Sequence, residues 1–243
     1  MRNAASFALL VLLMALVTAC GGGGGGSPEG NTLPIYGITD TGDNLAAKYP
    51  NVTIPEPESY VDLAPTADRI TSWKVSLYDV LPPINSPRRS FQNSSLTAWA
   101  DQIIAGINNQ RALAGLTPLV RDPHLERLAQ AHARDMALRR YFAHITPDGL
   151  DTWDRFNSLN PPRYNIAGEN SARGVKSPAE AVNGWMNSEK HHKNILTPDY
   201  THTGVGVYFD PSNTQKPVHL IQFFCEFLED PATYEGWYGS PTE

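Results

Sequence analysis

The side chains able to move protons or hold a metal near neutral pH are gathered in one stretch of the chain. All seven histidines of the 243 residues lie between His124 and His219, so imidazole chemistry is confined to the second part of the molecule. An imidazole beside a carboxylate can act as an acid–base pair at neutral pH. Two imidazoles with a carboxylate and a water can bind zinc. The same groups can also tie loops together by hydrogen bonds alone. Other chemistries are excluded by what is missing. There is no His-Glu-x-x-His stretch, no histidine pair at i, i+4 and no Gly-x-Ser-x-Gly. The glycines at 21–26 are low complexity with no strand and helix after them, so they are no phosphate cradle. Two cysteines, Cys20 and Cys225, rule out a disulfide scaffold. With 19 Lys plus Arg against 25 Asp plus Glu, and no basic run longer than a pair, no nucleic-acid partner is expected.

The elements that must position these histidines can be read from spacing and caps. Ser95 is placed to cap a helix through Leu96, Trp99, Ile103, Ile107 and Leu113, ending at Gly115. Asp122-Pro123 opens a second helix, with Leu125, Leu128, Ala129, His132 and Met136 on its apolar stripe. His132 therefore reads as a core histidine bonded to backbone, and Arg134, Arg139 and Arg140 as a solvated face. Ser177 and Glu180 are spaced for a reciprocal capping box on a third helix. Residues 204–209 and 218–227 read as strands. In the second, Ile221, Phe223, Cys225 and Phe227 share one face while Leu220 and Phe224 take the other, so the strand is central. Helices on both sides of a sheet predict an α/β domain, a three-layer α-β-α sandwich over residues 96–230 with a tail at 231–243. Cys225 is then a buried hydrophobe rather than a nucleophile. His124, His202 and His219 are expected at the surface or in packing.

The N-terminus carries an address. Arg2, an apolar run at 7–17 and Val17-Thr18-Ala19-Cys20 form an export signal over residues 1–19, too short for a membrane-spanning helix. The last four residues resemble a bacterial lipobox, which implies lipidation of Cys20 and a membrane partner. Gly21 directly after that cysteine implies an outer membrane where one exists, with the protein facing periplasm or exterior. Residues 20–95 hold nine prolines and the glycine run, and read as tether and spacer. Alternation over residues 73–80 permits one strand there.

Four stretches in order carry a resemblance: Phe142-Ala143-His144 with Pro147-Asp148-Gly149, Ala167-Gly168-Glu169-Asn170, Trp185-Met186-Asn187-Ser188 leading to His191-His192-Lys193-Asn194-Ile195-Leu196, and Gly204-Val205-Gly206. Together they resemble the CAP superfamily (cysteine-rich secretory proteins, antigen 5 and pathogenesis-related 1 proteins, or SCP domains), in its bacterial branch. The resemblance implies an α-β-α sandwich whose surface cleft is lined by two histidines and two acidic residues. His144 and Glu169 match the first of each, and His191 the second histidine, thirteen residues before Gly204, with His192 as the alternative. The second acidic position falls on Ser188, with Glu189 next to it.

Three roles stand open for His144, Glu169, Glu189 and His191: a zinc site built on His144 and His191, an acid–base pair, or a structural cluster around a groove. With no nucleophile evident, the expectation is a lipid-anchored envelope protein whose CAP domain is a non-catalytic binding module for a small lipid, glycan or peptide. The alternative is a zinc-dependent hydrolase of envelope polymers.

Overall fold

The computed structural model describes residues 45–58, 68–74, 78–82 and 91–238. The expected export signal, Cys20 and the glycine run lie outside the described residues. Two short helices, α1 (Leu45–Lys48) and α2 (Arg69–Trp73), precede the long α3 (Ser94–Leu113). The cap of α3 is Asn93 rather than Ser95: the Asn93 side chain accepts from the backbone N–H of Ser95 and Leu96. Ser95 instead uses its hydroxyl to accept from the Thr53 N–H, 3.0 Å away. A two-residue strand, β1 (Val120–Arg121), leads into α4 (Pro123–Leu138), capped by Asp122 as its sequence predicts. Then come α5 (Thr152–Asn157), β2 (Tyr164–Arg173), α6 (Pro178–Met186), α7 (Glu189–Ile195), β3 (His202–Phe209) and β4 (Val218–Phe227). At α6 only half of the expected box forms. Ser177 accepts from the Glu180 N–H, but the Glu180 carboxylate accepts from Lys176. The complete reciprocal box is on α5, between Asp151 and Asp154.

The sheet order is β1-β3-β4-β2, with β1 parallel to β3 and the other pairs antiparallel. Central β4 is buried on both faces because its two side-chain rows meet different helices. Leu220 and Phe224 join Val205, Val207 and Phe209 of β3 against α3, α6 and Ile195 of α7. Phe223, Cys225 and Phe227 pack on Leu125, Leu128 and Phe156, and Ile221 on Ala129 and Met136, from α4 and α5. That is the expected three-layer sandwich. Helix α4 sits so close to β3 that a Cβ on Gly206 would overlap the Ala129–Gln130 backbone.

Two expectations about the flanks need correction. From residue 45 the supposed spacer belongs to the same compact unit as the sandwich. Tyr49 packs edge-on against Phe209, 5.2 Å between ring centres, and Trp73 and Tyr78 are fully buried. Among the described residues of 73–80 no strand forms: Trp73 ends α2, the Asp79 N–H donates to the Lys74 carbonyl at 2.7 Å, Asp79 and Val80 form a turn, and residues 75–77 lie outside the described residues. The tail also packs, Trp237 stacking on His124 at 4.2 Å and Tyr238 donating to Asp79 at 2.9 Å. Proline frequency hid a few large aromatic side chains, whose burial outweighs local backbone preference.

Candidate functional site

Chain reversal after α4 places His144 in a loop that is held from below. Arg155, on α5 and fully buried, donates to the carbonyl oxygens of His144 (2.7 Å) and Leu150 (3.1 Å). The same guanidinium reaches Glu169 Oε2 on β2 at 2.9 Å. The other oxygen, Oε1, lies 2.7 Å from His144 Nδ1 and 3.5 Å from the Thr152 hydroxyl. A carboxylate oxygen accepts, so His144 carries its hydrogen on Nδ1 and turns its Nε2 outward; the side chain is 50% exposed, that of Glu169 3%. Gly168 has no room for a side chain, because a Cβ there would overlap the Tyr200 hydroxyl.

His191 is brought to the same side by two asparagines. Asn170, beside Glu169 on β2, donates to the His191 carbonyl at 3.2 Å. Asn194, on α7, donates to Asn170 Oδ1 at 2.8 Å and to the Glu169 carbonyl at 3.4 Å. Helix α7 is thereby tied to the strand that carries the carboxylate. The His191 ring feels its neighbours: burial lowers its pKa, and the charges of His144 and Lys190 lower it further.

The remaining candidates stand apart. Glu189, the first residue of α7, is exposed and makes no hydrogen bond or ion pair among the described residues. With His192, Lys193, Leu196, Thr197 and Pro198 it lines a hollow of about 370 Å³ that includes none of His144, Glu169 and His191. Ser188 is the N-cap of α7 without a side-chain cap bond. Thus the second acidic position is not filled at the couple by either residue. A second hollow, about 630 Å³, lies at the far end of β2 around Arg163, Tyr164 and Tyr234. For the candidate zinc site on His144 and His191, the described residues offer no group of three His, Cys, Asp or Glu side chains. Both oxygens of Glu169 are already engaged, so His144 and His191 lack the third protein ligand that a catalytic zinc takes. The residues do not fit a resident zinc.

Electrostatics set the charge state of the couple. Burial by itself would raise the Glu169 carboxyl, but Arg155, followed by His132 and His144, outweighs it and holds the group at about 2. His132 is the buried histidine of α4, and its Nε2 meets the Ala143 carbonyl at 3.1 Å. Burial, then Arg155, holds its pKa at about 3. The 3.8 Å approach of its Nε2 to Glu169 Oε1 is therefore a contact of a neutral ring with a carboxylate, not an ion pair. Cys225 is fully buried and its thiol is pushed well up by burial.

Sequence reasoning missed Arg155, Thr152 and Asn194 at the site, and gave His132 no part in it. Arg139 is no solvated residue either: it binds Asp148 at 2.5 Å with its side chain nearly buried, and Arg134 pairs with Glu58 at 2.7 Å. The available signals were Asn170 and Asn194 inside motifs already singled out, and an arginine shortly before the strand bearing Glu169. None of them fixes a contact without the fold.

The model of the cysteine-rich secretory protein (CAP) family matches residues 104–227. The chain is 42% identical over 113 residues to the uncharacterized protein YkwD of Bacillus subtilis, covering 46% of this chain and 44% of that one. It is 38% identical over 111 residues to the uncharacterized membrane protein YlbC of the same organism, covering 46% and 32%. The chain thus spans less than half the length of these relatives. An extracellular SCP-domain protein from Bacillus anthracis, known as a crystal structure, is 30% identical with a TM-score of 0.49, covering 54% of this chain and 41% of that one. The family match spans half the sequence and contains His144, Glu169 and His191: the chain belongs to the CAP, or cysteine-rich secretory protein, family.

Proposed function

We propose that the chain is exported, lipidated at Cys20 and held at a bacterial envelope, and that its CAP domain binds a small lipid, glycan or peptide without turning it over. The observation that carries this reading is the His144–Glu169 couple. A carboxylate locked by Arg155 fixes the imidazole with Nδ1 bonded inward and Nε2 presented to solvent. Such a group recognises a donor on a ligand. The next residues along the chain from His144 and Thr152, Ile145 and Trp153, are exposed large hydrophobics, which suits a ligand with one apolar face. Cys225, the thiol among the described residues, is sealed in the core and offers no nucleophile to the couple.

The test uses the mature chain titrated separately with a disaccharide-tetrapeptide from peptidoglycan, phosphatidylglycerol vesicles and short peptides. One probe class perturbs the His144 and Trp153 resonances and binds at least about tenfold more weakly to His144→Ala, a loss of about 1.4 kcal/mol or more. Turnover of any probe that His144→Ala abolishes, or indifference of the couple to all three, contradicts the reading. Intact-mass analysis of Cys20, with release of Cys20→Ala from the membrane fraction, checks the anchor.

A further inference from the structure

Beneath the couple lies a set of polar side chains that ligand binding does not touch. His132 and Asp135 stand about one turn apart on α4, both fully buried, and Tyr141 folds back onto them from the loop that follows. The Tyr141 hydroxyl is 2.5 Å from Asp135 Oδ2 and 3.3 Å from His132 Nδ1. His132 Nε2 lies 3.1 Å from the Ala143 carbonyl, one residue before His144. A carbonyl only accepts, so Nε2 carries a hydrogen, and Nδ1 of the neutral ring is then a lone pair in need of a donor. The hydroxyl that faces it has one hydrogen. If Asp135 is ionised, that hydrogen goes to the carboxylate and Nδ1 is left bare in a buried place.

With one more proton every bond closes. The Asp135 carboxyl donates to the Tyr141 oxygen, Tyr141 donates to His132 Nδ1, and Nε2–H donates to Ala143. Passing the two hydrogens along the line gives the equivalent form, a carboxylate, a phenol and an imidazolium. The charges around the trio agree with the count. The groups facing it are Arg139, Arg155, Asp148, Glu169 and His144. Arg155 is matched by Glu169 at 2.9 Å and Arg139 by Asp148 at 2.5 Å. Asp135, 3.5 Å from Arg139, would be a third carboxylate against two guanidiniums, and an excess buried charge is costly.

We propose that Asp135, Tyr141 and His132 are positioning residues for the His144–Glu169 couple, and that they share one proton beyond those of a carboxylate, a phenol and a neutral imidazole. The trio holds the Ala143 carbonyl, and with it the loop that presents His144. This rests on reading the couple as the binding site. Burial raises the Asp135 carboxyl to about 6, against the pull of Tyr141, Arg139 and Arg155, so the shared proton rests at the Asp135 end. As pH climbs past that point the proton leaves to solvent, Tyr141 turns its hydrogen to Asp135, and His132 Nδ1 loses its donor.

The test is side-chain NMR of the mature chain without ligand, followed from pH 4 to 8. The Asp135 carboxyl carbon titrates near pH 6 instead of near the ordinary 3.8, and His132 stays a neutral ring with hydrogen on Nε2. The His144 ring nitrogens shift in step with Asp135. Asp135→Asn, whose amide donates to Tyr141 as the protonated carboxyl does, removes the part of the His144 response that tracks Asp135. Tyr141→Phe moves the His144 shifts across the range. An Asp135 that titrates near 4, a His132 with hydrogen on Nδ1, or a His144 pH response that is identical in wild type and Asp135→Asn overturns the proposal. Should Tyr141→Phe not fold, the wild-type and Asp135→Asn spectra still decide. Because no ligand is present, these results are separate from the binding reading: a trio that behaves as described in a chain that binds none of the three probes overturns that reading alone.

Discussion

At the scale of single residues the couple depends on a buried carboxylate whose charge is held chiefly by its guanidinium. Arg155 and Glu169 are both buried, and removing one partner leaves the other as an unpaired charge. Arg155→Ala is expected to cost about 3–5 kcal/mol in urea unfolding, and the double variant Arg155→Met with Glu169→Gln less than the sum of its parts. The pH dependence follows from signs. The folded-state value for Glu169 is depressed to about 2 from 4.5, so its contribution is present above pH 4.5 and is lost as pH falls toward 2. His124 and His219 are each lowered to about 4, mainly by burial. Their unfolded forms take up protons first, so stability falls as pH drops from 6.5 to 4. His132, lowered to about 3, acts in the same direction, while Asp135, raised to about 6, acts in the opposite one between pH 3.8 and 6. Those two largely offset each other there. Urea midpoints are therefore expected to decline from pH 6.5 to 4 and to decline further below 4.5, and Glu169→Gln to lack the second decline.

At the scale of elements, the site exists because α7 is tied to β2 and α4 lies tight on β3. Asn194→Ala removes the donors to Asn170 and the Glu169 carbonyl, with an expected loss of about 1–3 kcal/mol. The more telling readout is His191, whose titration moves back toward an ordinary histidine as the helix loosens from His144. Gly206→Ala forces α4 off the sheet and is expected to lower the melting temperature sharply, because its clash is with helix backbone that cannot rotate away. These elements were largely legible in advance. Asp122-Pro123, Ser177 and the two-sided apolar pattern of residues 218–227 announce their own structure through local chemistry. The cap of α3 is ambiguous in sequence because Asn93 and Ser95 are both good caps; in the fold both side chains bind Thr53, Asn93 donating to its carbonyl and Ser95 accepting from its N–H, and Asn93 takes the cap. Glu189 lies next to the second acidic position in sequence, but α6 ends at Met186, and Glu189 opens a new helix with its side chain exposed.

At the scale of the whole molecule, the sandwich is larger than its family-matched segment. The described residues from 45 onward and the tail to 238 pack on the sandwich through Tyr49, Trp73, Tyr78 and Trp237. Arg127 joins the N-terminal flank to α4, its guanidinium 4.2 Å over the Tyr78 ring and donating to the Tyr78 and Leu81 carbonyls. Trp73→Ala is expected to cost about 3–5 kcal/mol, and a chain begun at Phe91 to melt lower and to bind a hydrophobic dye. This was illegible because such packing is non-local: a tryptophan in a proline-rich stretch reveals nothing of the helix it will meet. The same holds for Arg155, whose three acceptors come from a loop, a turn and a strand.

The most direct measurement of the central claim is the imidazole nitrogen–hydrogen correlation spectrum of His144 at neutral pH. The expected spectrum shows a hydrogen on Nδ1, bonded to Glu169 and lost in Glu169→Gln. A ring with its hydrogen on Nε2, or a spectrum that Glu169→Gln leaves unchanged, would contradict it.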